Sequence, residues 1–74
     1  MTKPKRTALQ LETIIKGVVS ETLLWPKNAV VSIWPDAKGW KAVCHTPNPV
    51  NDKECIERVR AEAERLRSEF DLDL

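Results

Sequence analysis

Residues 29–34 read AVVSIW and residues 40–46 read WKAVCHT, with PDAKG between them at positions 35–39. Both flanking segments are rich in β-branched and aromatic residues, which suit the pleated, half-buried surface of a sheet. Proline, aspartate and glycine are residues that turns favour, so the middle segment predicts a five-residue loop. The stretch as a whole therefore predicts a β-hairpin.

The five-residue loop also predicts a strand register. It places Trp34 opposite Trp40 on one face, and Val31 opposite Val43 on the other face together with Ile33. Both faces are then apolar, whereas a sheet wetted on one side shows clean alternation of apolar and polar residues. We expect both faces to need cover, either from helices or from a partner. The candidate interface residues are Trp34, Trp40, Val31, Val43 and Ile33.

An amphipathic helix is predicted before the hairpin. Thr7 is a good N-cap, and Gln10 stands three residues later, where a capping box needs it. Pro26 restricts the residue before it, so the helix should end near Leu24. Gly17 lowers helix propensity, and we interpret it as a position where another backbone approaches closely. The apolar stripe consists of Leu11, Ile14, Ile15, Val18 and Thr22, and it is widened by Ala8 and Val19.

A second helix is predicted after the hairpin. Asn51 is the predicted N-cap, Glu54 completes a capping box, and Val50 would pack against Cys55 as a hydrophobic staple. Acidic residues beyond Phe70 disfavour a helix C-terminus, so the helix should end there. Its narrow apolar seam consists of Ile56, Val59, Ala63, Leu66 and Phe70.

Length and composition limit the protein to one small domain. The chain has 74 residues, 42% of them hydrophobic and 31% charged, with a net charge of +1. A chain this short buries only about 60% of its unfolded surface, so oligomerisation is a common source of added stability. We predict a flexible basic tail at 1–6, one domain at 7–70, and an acidic tail at 71–74.

The sequence favours a cytosolic protein with reduced thiols. It contains no apolar run long enough for a signal peptide or a membrane span. Without a route to an oxidising compartment, Cys44 and Cys55 are expected to remain free. No membrane partner is predicted.

The sequence offers little material for catalysis or metal binding. Cys44, His45 and Cys55 are its only soft ligands, whereas a structural zinc site needs four. Adjacent strand residues point to opposite faces, so Cys44 and His45 cannot act together as ligands or as nucleophile and base. We predict no enzyme activity, no metal, no cofactor and no small-molecule substrate.

Basic residues provide the alternative function. Lys3, Lys5 and Arg6 would form an arm which, with arginines on the second helix, could follow the phosphates of a nucleic acid. Glutamates three or four residues from those arginines, such as Glu64 beside Arg60, neutralise the helix face. A nucleic acid is therefore the less favoured partner, with the candidate contacts Lys3, Lys5, Arg6, Arg58 and Arg65.

Together these patterns predict a single small α+β domain of order α-β-β-α. An antiparallel hairpin would pack with two amphipathic helices, which cover either one face or both. A dimer could join two hairpins into a four-stranded sheet. The predicted function is a small cytosolic, non-catalytic protein-interaction module that forms a homodimer, with another protein as a further possible partner and its biological role open.

Overall fold

A computed structural model describes residues 3–37 and 39–73. The described residues form a small α+β domain with two helices, an antiparallel strand pair and a parallel strand pair. The elements follow in the order β1 (Lys5–Thr7), α1 (Ala8–Thr22), β2 (Val30–Asp36), β3 (Gly39–His45), α2 (Lys53–Arg67) and β4 (Asp71–Asp73).

Both helices lie on the same face of the β2–β3 hairpin. Helix α1 contacts β2 and α2, and α2 contacts β3. The buried side chains of the two helices form one core with those of the hairpin, so within the described residues the opposite face of the hairpin has no helix over it. The core contains Leu11, Ile15, Val19, Val31, Ile33, Trp40, Cys55, Val59, Ala63 and Leu66.

The predicted hairpin register is wrong by one residue. Asp36 pairs with Gly39, so Pro35 and Asp36 belong to β2. Trp34 pairs with Lys41, and Trp40 pairs with Pro35. Because side chains alternate along a strand, this shift places the two tryptophans on opposite faces and excludes the predicted tryptophan pair.

The hairpin consequently has a core face and an outer face. The core face carries Val31, Ile33 and Trp40, and all three are buried. The helices thus cover the apolar face and leave open the face that carries both apolar and polar side chains. We call the second one the outer face; it is formed by Val30, Ser32, Trp34, Asp36, Gly39, Lys41, Val43 and His45.

The predicted start of α1 is confirmed. The Thr7 hydroxyl accepts a 3.2 Å hydrogen bond from the Gln10 backbone N–H, and the Gln10 side chain accepts a 2.9 Å bond from the Thr7 N–H. Helix α1 ends at Thr22, close to the predicted position. The interpretation of Gly17 is wrong within the described residues, because no atom lies within 4 Å of where its Cβ would be.

Helix α2 differs from the prediction at both ends. Its N-cap is Asp52 rather than Asn51, and no side chain caps the first turn. The Asp52 carboxylate instead accepts a hydrogen bond from the Thr46 hydroxyl, which ties the helix start to the end of the hairpin. Val50 is exposed, so the predicted staple does not form. The helix ends before Phe70, at Arg67.

Strands β1 and β4 lie in segments that the sequence assigned to tails. They pair in parallel over three residues, with Arg6 opposite Leu72. The Asp71 backbone N–H donates a 2.9 Å hydrogen bond to the Pro4 carbonyl and extends the contact. The two ends of the described chain are therefore held side by side.

Candidate interaction surface

The five predicted interface residues divide between the core and the outer face. Val31, Ile33 and Trp40 are buried beneath the helices. Trp34 and Val43 lie on the outer face, and Trp34 keeps 54% of its surface exposed. The structure therefore does not bring the five residues together on one accessible surface.

Strand β2 has an open edge. Among the described strands its only sheet neighbour is β3. The Trp40 carbonyl accepts a 3.3 Å hydrogen bond from the Arg67 guanidinium on α2, so it points away from β2. In an antiparallel pair, two facing residues direct their backbone groups either both toward the other strand or both away from it. Pro35 faces Trp40, so its backbone carbonyl points away from β3. Because the pattern alternates along the strand, the backbone groups of Ile33 and Val31 also point away from β3. Proline has no N–H to leave unpaired at such an edge.

A groove lies between α1 and β2, and it reaches Val31 on the strand. Its volume is about 280 Å³. Apolar side chains form much of it, and one acidic and one basic residue of α1 stand along the same wall. The lining residues are Leu9, Glu12, Thr13, Lys16, Trp25, Ala29, Val30 and Val31.

Two large apolar side chains on the groove are exposed. Leu9 keeps 71% of its surface accessible, and Val30 keeps 57%. Trp25 is held beside them, because its indole N–H donates a 3.2 Å hydrogen bond to the Ala29 carbonyl. The Lys16 ammonium group lies 5.7 Å from the centre of a Trp25 ring. Exposed apolar side chains that converge on one groove are typical of interaction sites.

The sequence prediction missed this groove. Leu9 falls outside the apolar stripe of α1, and an apolar residue on the wrong side of an amphipathic helix was the available signal. Val30 was predicted to lie on a covered face, because the register was off by one.

The predicted basic arm lies against the rest of the protein. The Lys3 ammonium group donates a 2.8 Å hydrogen bond to the Arg67 carbonyl and lies 3.7 Å from the Asp71 carboxylate. The Arg6 guanidinium lies 4.7 Å from the centre of the Phe70 ring. Lys5 is exposed in β1. These contacts fix Lys3 and Arg6 beside the C-terminal end of α2.

Carboxylates pair with both helix arginines that were proposed for nucleic acid. Arg58 lies 3.8 Å from Glu54. Arg65 forms ion pairs with Glu62 and, at 2.7 Å, with Glu69. These two arginines therefore belong to the charge-balanced surface of α2, as their spacing suggested.

The predicted pairing of Arg60 with Glu64 does not form. Glu64 lies 3.7 Å from Arg67 instead. Among the described residues, no ion pair is found for Arg60. It borders a second groove, about 300 Å³ in volume, between α2 and β3. That groove is lined by Lys41, Ala42, Val43, Arg60, Ala63 and Arg67.

The two cysteines face each other between β3 and α2. Their thiols are free. Burial, the proximity of Cys55 and, to a smaller extent, Asp52 raise the pKa of the Cys44 thiol from 9.0 to about 11. His45 lies on the outer face. Within residues 3–37 and 39–73, no group of three or more His, Cys, Asp or Glu side chains is placed to hold a metal ion.

Comparison of the chain with protein-family models, curated proteins and solved structures finds no significant match. Over the described residues, no helix has the length and apolar character needed to cross a membrane. The features of the molecule that can indicate a function are the two grooves, the open edge of β2 and the outer face.

Proposed function

We propose that this protein is a non-catalytic, cytosolic protein-interaction module that acts as a homodimer. The open edge of β2, with the apolar groove beside it, is the observation that supports this proposal. In the dimer, β2 of each copy pairs antiparallel with β2 of the other around a two-fold axis. The product is a four-stranded antiparallel sheet with four helices on one side.

The edge suits self-association for a geometric reason. Two identical strands pair antiparallel about a two-fold axis, so each exchanges the same backbone hydrogen bonds with the other. Val31 and Ile33 have buried side chains, but their backbone groups point to the open edge. A second strand would satisfy these groups, which are costly to leave unpaired away from water. Such an edge is a site where another strand can add.

The charges along the groove are compatible with two-fold symmetry. Glu12 and Lys16 stand one helical turn apart on α1, and both line the groove. A two-fold axis can bring the negative group of one copy near the positive group of the other. Leu9 and Val30, both exposed in the monomer, would lose water between the two copies.

The chain exposes a large surface for its size. Its accessible surface is 5245 Å², and its long axis of 40 Å is about twice its width. A compact monomer of 8.4 kDa is expected to expose about 4600 Å². The chain therefore exposes roughly 600 Å² more surface than a compact monomer of its mass.

The proposal is tested by the mass of the protein in solution. Sedimentation equilibrium at micromolar concentration should give about twice the chain mass of 8.4 kDa. The double variant Leu9→Lys/Val30→Lys should sediment as a folded monomer, because both residues are exposed in one chain. Leu24→Lys/Val50→Lys is the matched control, since those residues are 93% and 85% exposed and lie outside the groove.

Two results would contradict the proposal. A folded wild-type monomer at high concentration would exclude the dimer. A dimer that the groove variant leaves unchanged would place the interface elsewhere. Circular dichroism on each variant shows whether a loss of dimer is also a loss of fold.

A further inference from the structure

The outer face carries an exposed aromatic side chain beside positive charge. Trp34 is 54% exposed, and its neighbour across the strands is Lys41. Directly opposite side chains in an antiparallel pair are about 5 Å apart at Cβ, so a ligand can contact both. His45 stands on the same face farther along β3.

The groove between α2 and β3 continues this positive surface. Lys41 belongs both to the outer face and to the groove, where Arg60 and Arg67 also contribute. Arg67 donates a hydrogen bond to the Trp40 carbonyl and forms an ion pair with Glu64. Because Glu64 pairs with Arg67, Arg60 has no carboxylate partner among the described residues and is available to a ligand.

Few carboxylates oppose this charge. On the hairpin, Asp36 ends β2 on the outer face two residues beyond Trp34, and its carboxylate accepts a 2.7 Å hydrogen bond from the Ala37 N–H. On α2, Glu64 is the acidic neighbour of the groove, and its carboxylate lies 3.7 Å from Arg67. The surface from Trp34 through Lys41 to Arg60 is therefore locally positive, although the whole chain carries only +1.

We propose that this surface binds single-stranded nucleic acid. A base stacks on the exposed indole of Trp34, while Lys41 and Arg60 contact the adjacent phosphates. Aromatic platforms on open sheets suit unstacked bases, and a positive groove beside them suits the backbone. A duplex hides its bases within the stack and would leave Trp34 without a role. This surface differs from the arm and the helix arginines that the sequence predicted as nucleic-acid contacts.

The proposal goes beyond the dimer, since one chain supplies Trp34, Lys41 and Arg60. Binding is measured on the full chain by fluorescence anisotropy of labelled oligothymidine and oligouridine probes. The expected dissociation constant lies between about 1 and 100 μM in dilute salt. Two phosphate contacts on a single strand predict a log–log salt slope of about −1.4.

Three variants give distinct expected results. Trp34→Ala should weaken binding by about 5- to 100-fold, because base–aromatic stacking is lost. Lys41→Gln and Arg60→Gln should each weaken binding and make the salt slope less steep by about 0.7. Arg58→Gln is the matched control on the same helix, because Arg58 pairs with Glu54, and it should bind like wild type.

Other results would overturn the proposal. Absence of binding at about 1 mM probe, where even weak non-specific complexes form, would exclude it. Equal losses in Arg60→Gln and Arg58→Gln would show diffuse charge attraction rather than this site. An oligoglutamate peptide that binds as tightly as the oligonucleotides, with equal dependence on Lys41, would assign the surface to an acidic protein. The mass measurement is a separate readout, so failure of either proposal is recognised independently.

Discussion

The indole N–H of Trp40 donates a 3.0 Å hydrogen bond to the backbone carbonyl of Phe70. Trp40 is 1% exposed and stands near the start of β3, whereas Phe70 follows α2. One side chain therefore fills the core and also fixes the segment that leads into β4. The tryptophan on the other side of the hairpin, Trp34, makes neither contribution.

This difference predicts unequal effects of the same substitution. Trp40→Phe should lower the free energy of unfolding by about 1–3 kcal/mol, because it leaves a cavity and an unpaired carbonyl. Trp34→Phe should change it by less than about 0.5 kcal/mol, as expected for a surface site. Urea unfolding followed by circular dichroism measures both. Equal losses would contradict the register that separates the two tryptophans.

Two valines on the hairpin provide a second comparison. Val31→Lys should prevent folding, because Val31 is buried in the core and a lysine there would be an unpaired buried charge. Val43→Lys should leave a folded protein, since Val43 lies on the outer face. Circular dichroism and thermal unfolding distinguish the outcomes. The predicted register placed both valines on one face, so similar damage from both substitutions would favour it.

The sequence predicted the main elements because each carries a local signal. The capping box of Thr7 and Gln10, the period of α1 and the composition of the two hairpin strands are all readable without tertiary contacts. The register was not predictable in this way. Pro35 and Asp36 are turn formers by composition, but Pro35 fits at a strand edge where no N–H is needed. A shift of one residue then exchanged the two faces.

The short strands and the surface sites also could not be predicted from local sequence patterns. β1 and β4 contain three residues each, too few for a periodic pattern, and each is defined by its distant partner. Similarly, because Glu64 pairs with Arg67, Arg60 is an arginine of α2 for which no ion pair is found among the described residues. Spacing alone allowed Glu64 to pair with either Arg60 or Arg67, at four or three residues' distance.

The paired thiols predict a loss of stability in alkaline solution. Burial is the main cause that raises the pKa of Cys44 from 9.0 to about 11, and burial also raises the pKa of Cys55. Above pH 9 the unfolded chain loses these protons while the folded chain retains them. The stabilisation is therefore complete below about pH 9 and is lost as the pH rises toward 11.

The measurement compares wild type with Cys44→Ala. Urea unfolding across this pH range should show a steeper decline for wild type, since other groups titrate equally in both proteins. The thiolate absorbance of the folded protein should also rise late, and the chain has no tyrosine to obscure it. Rapid labelling of both native thiols at neutral pH, or identical pH profiles for the two proteins, would contradict the buried pair.

The two glycines in the described chain predict substitutions of opposite sign. Gly17 lies inside α1, and an added Cβ would meet no atom within 4 Å, so Gly17→Ala should stabilise the protein by about 1 kcal/mol. Gly39 has a φ of +112° at the start of β3, a backbone conformation that alanine rarely adopts. Gly39→Ala should therefore destabilise the protein by about 1–3 kcal/mol.

Urea unfolding of both variants and of wild type, at low and at high protein concentration, measures the two changes in stability. Stabilisation by Gly17→Ala should be the same at each concentration, because nothing in the described chain packs on that site. A loss of stability that grows with protein concentration would mean that a second copy approaches the Gly17 backbone. That result would move the dimer interface along α1, away from the proposed edge of β2, because a close contact at Gly17 requires the partner to lie on the helix itself.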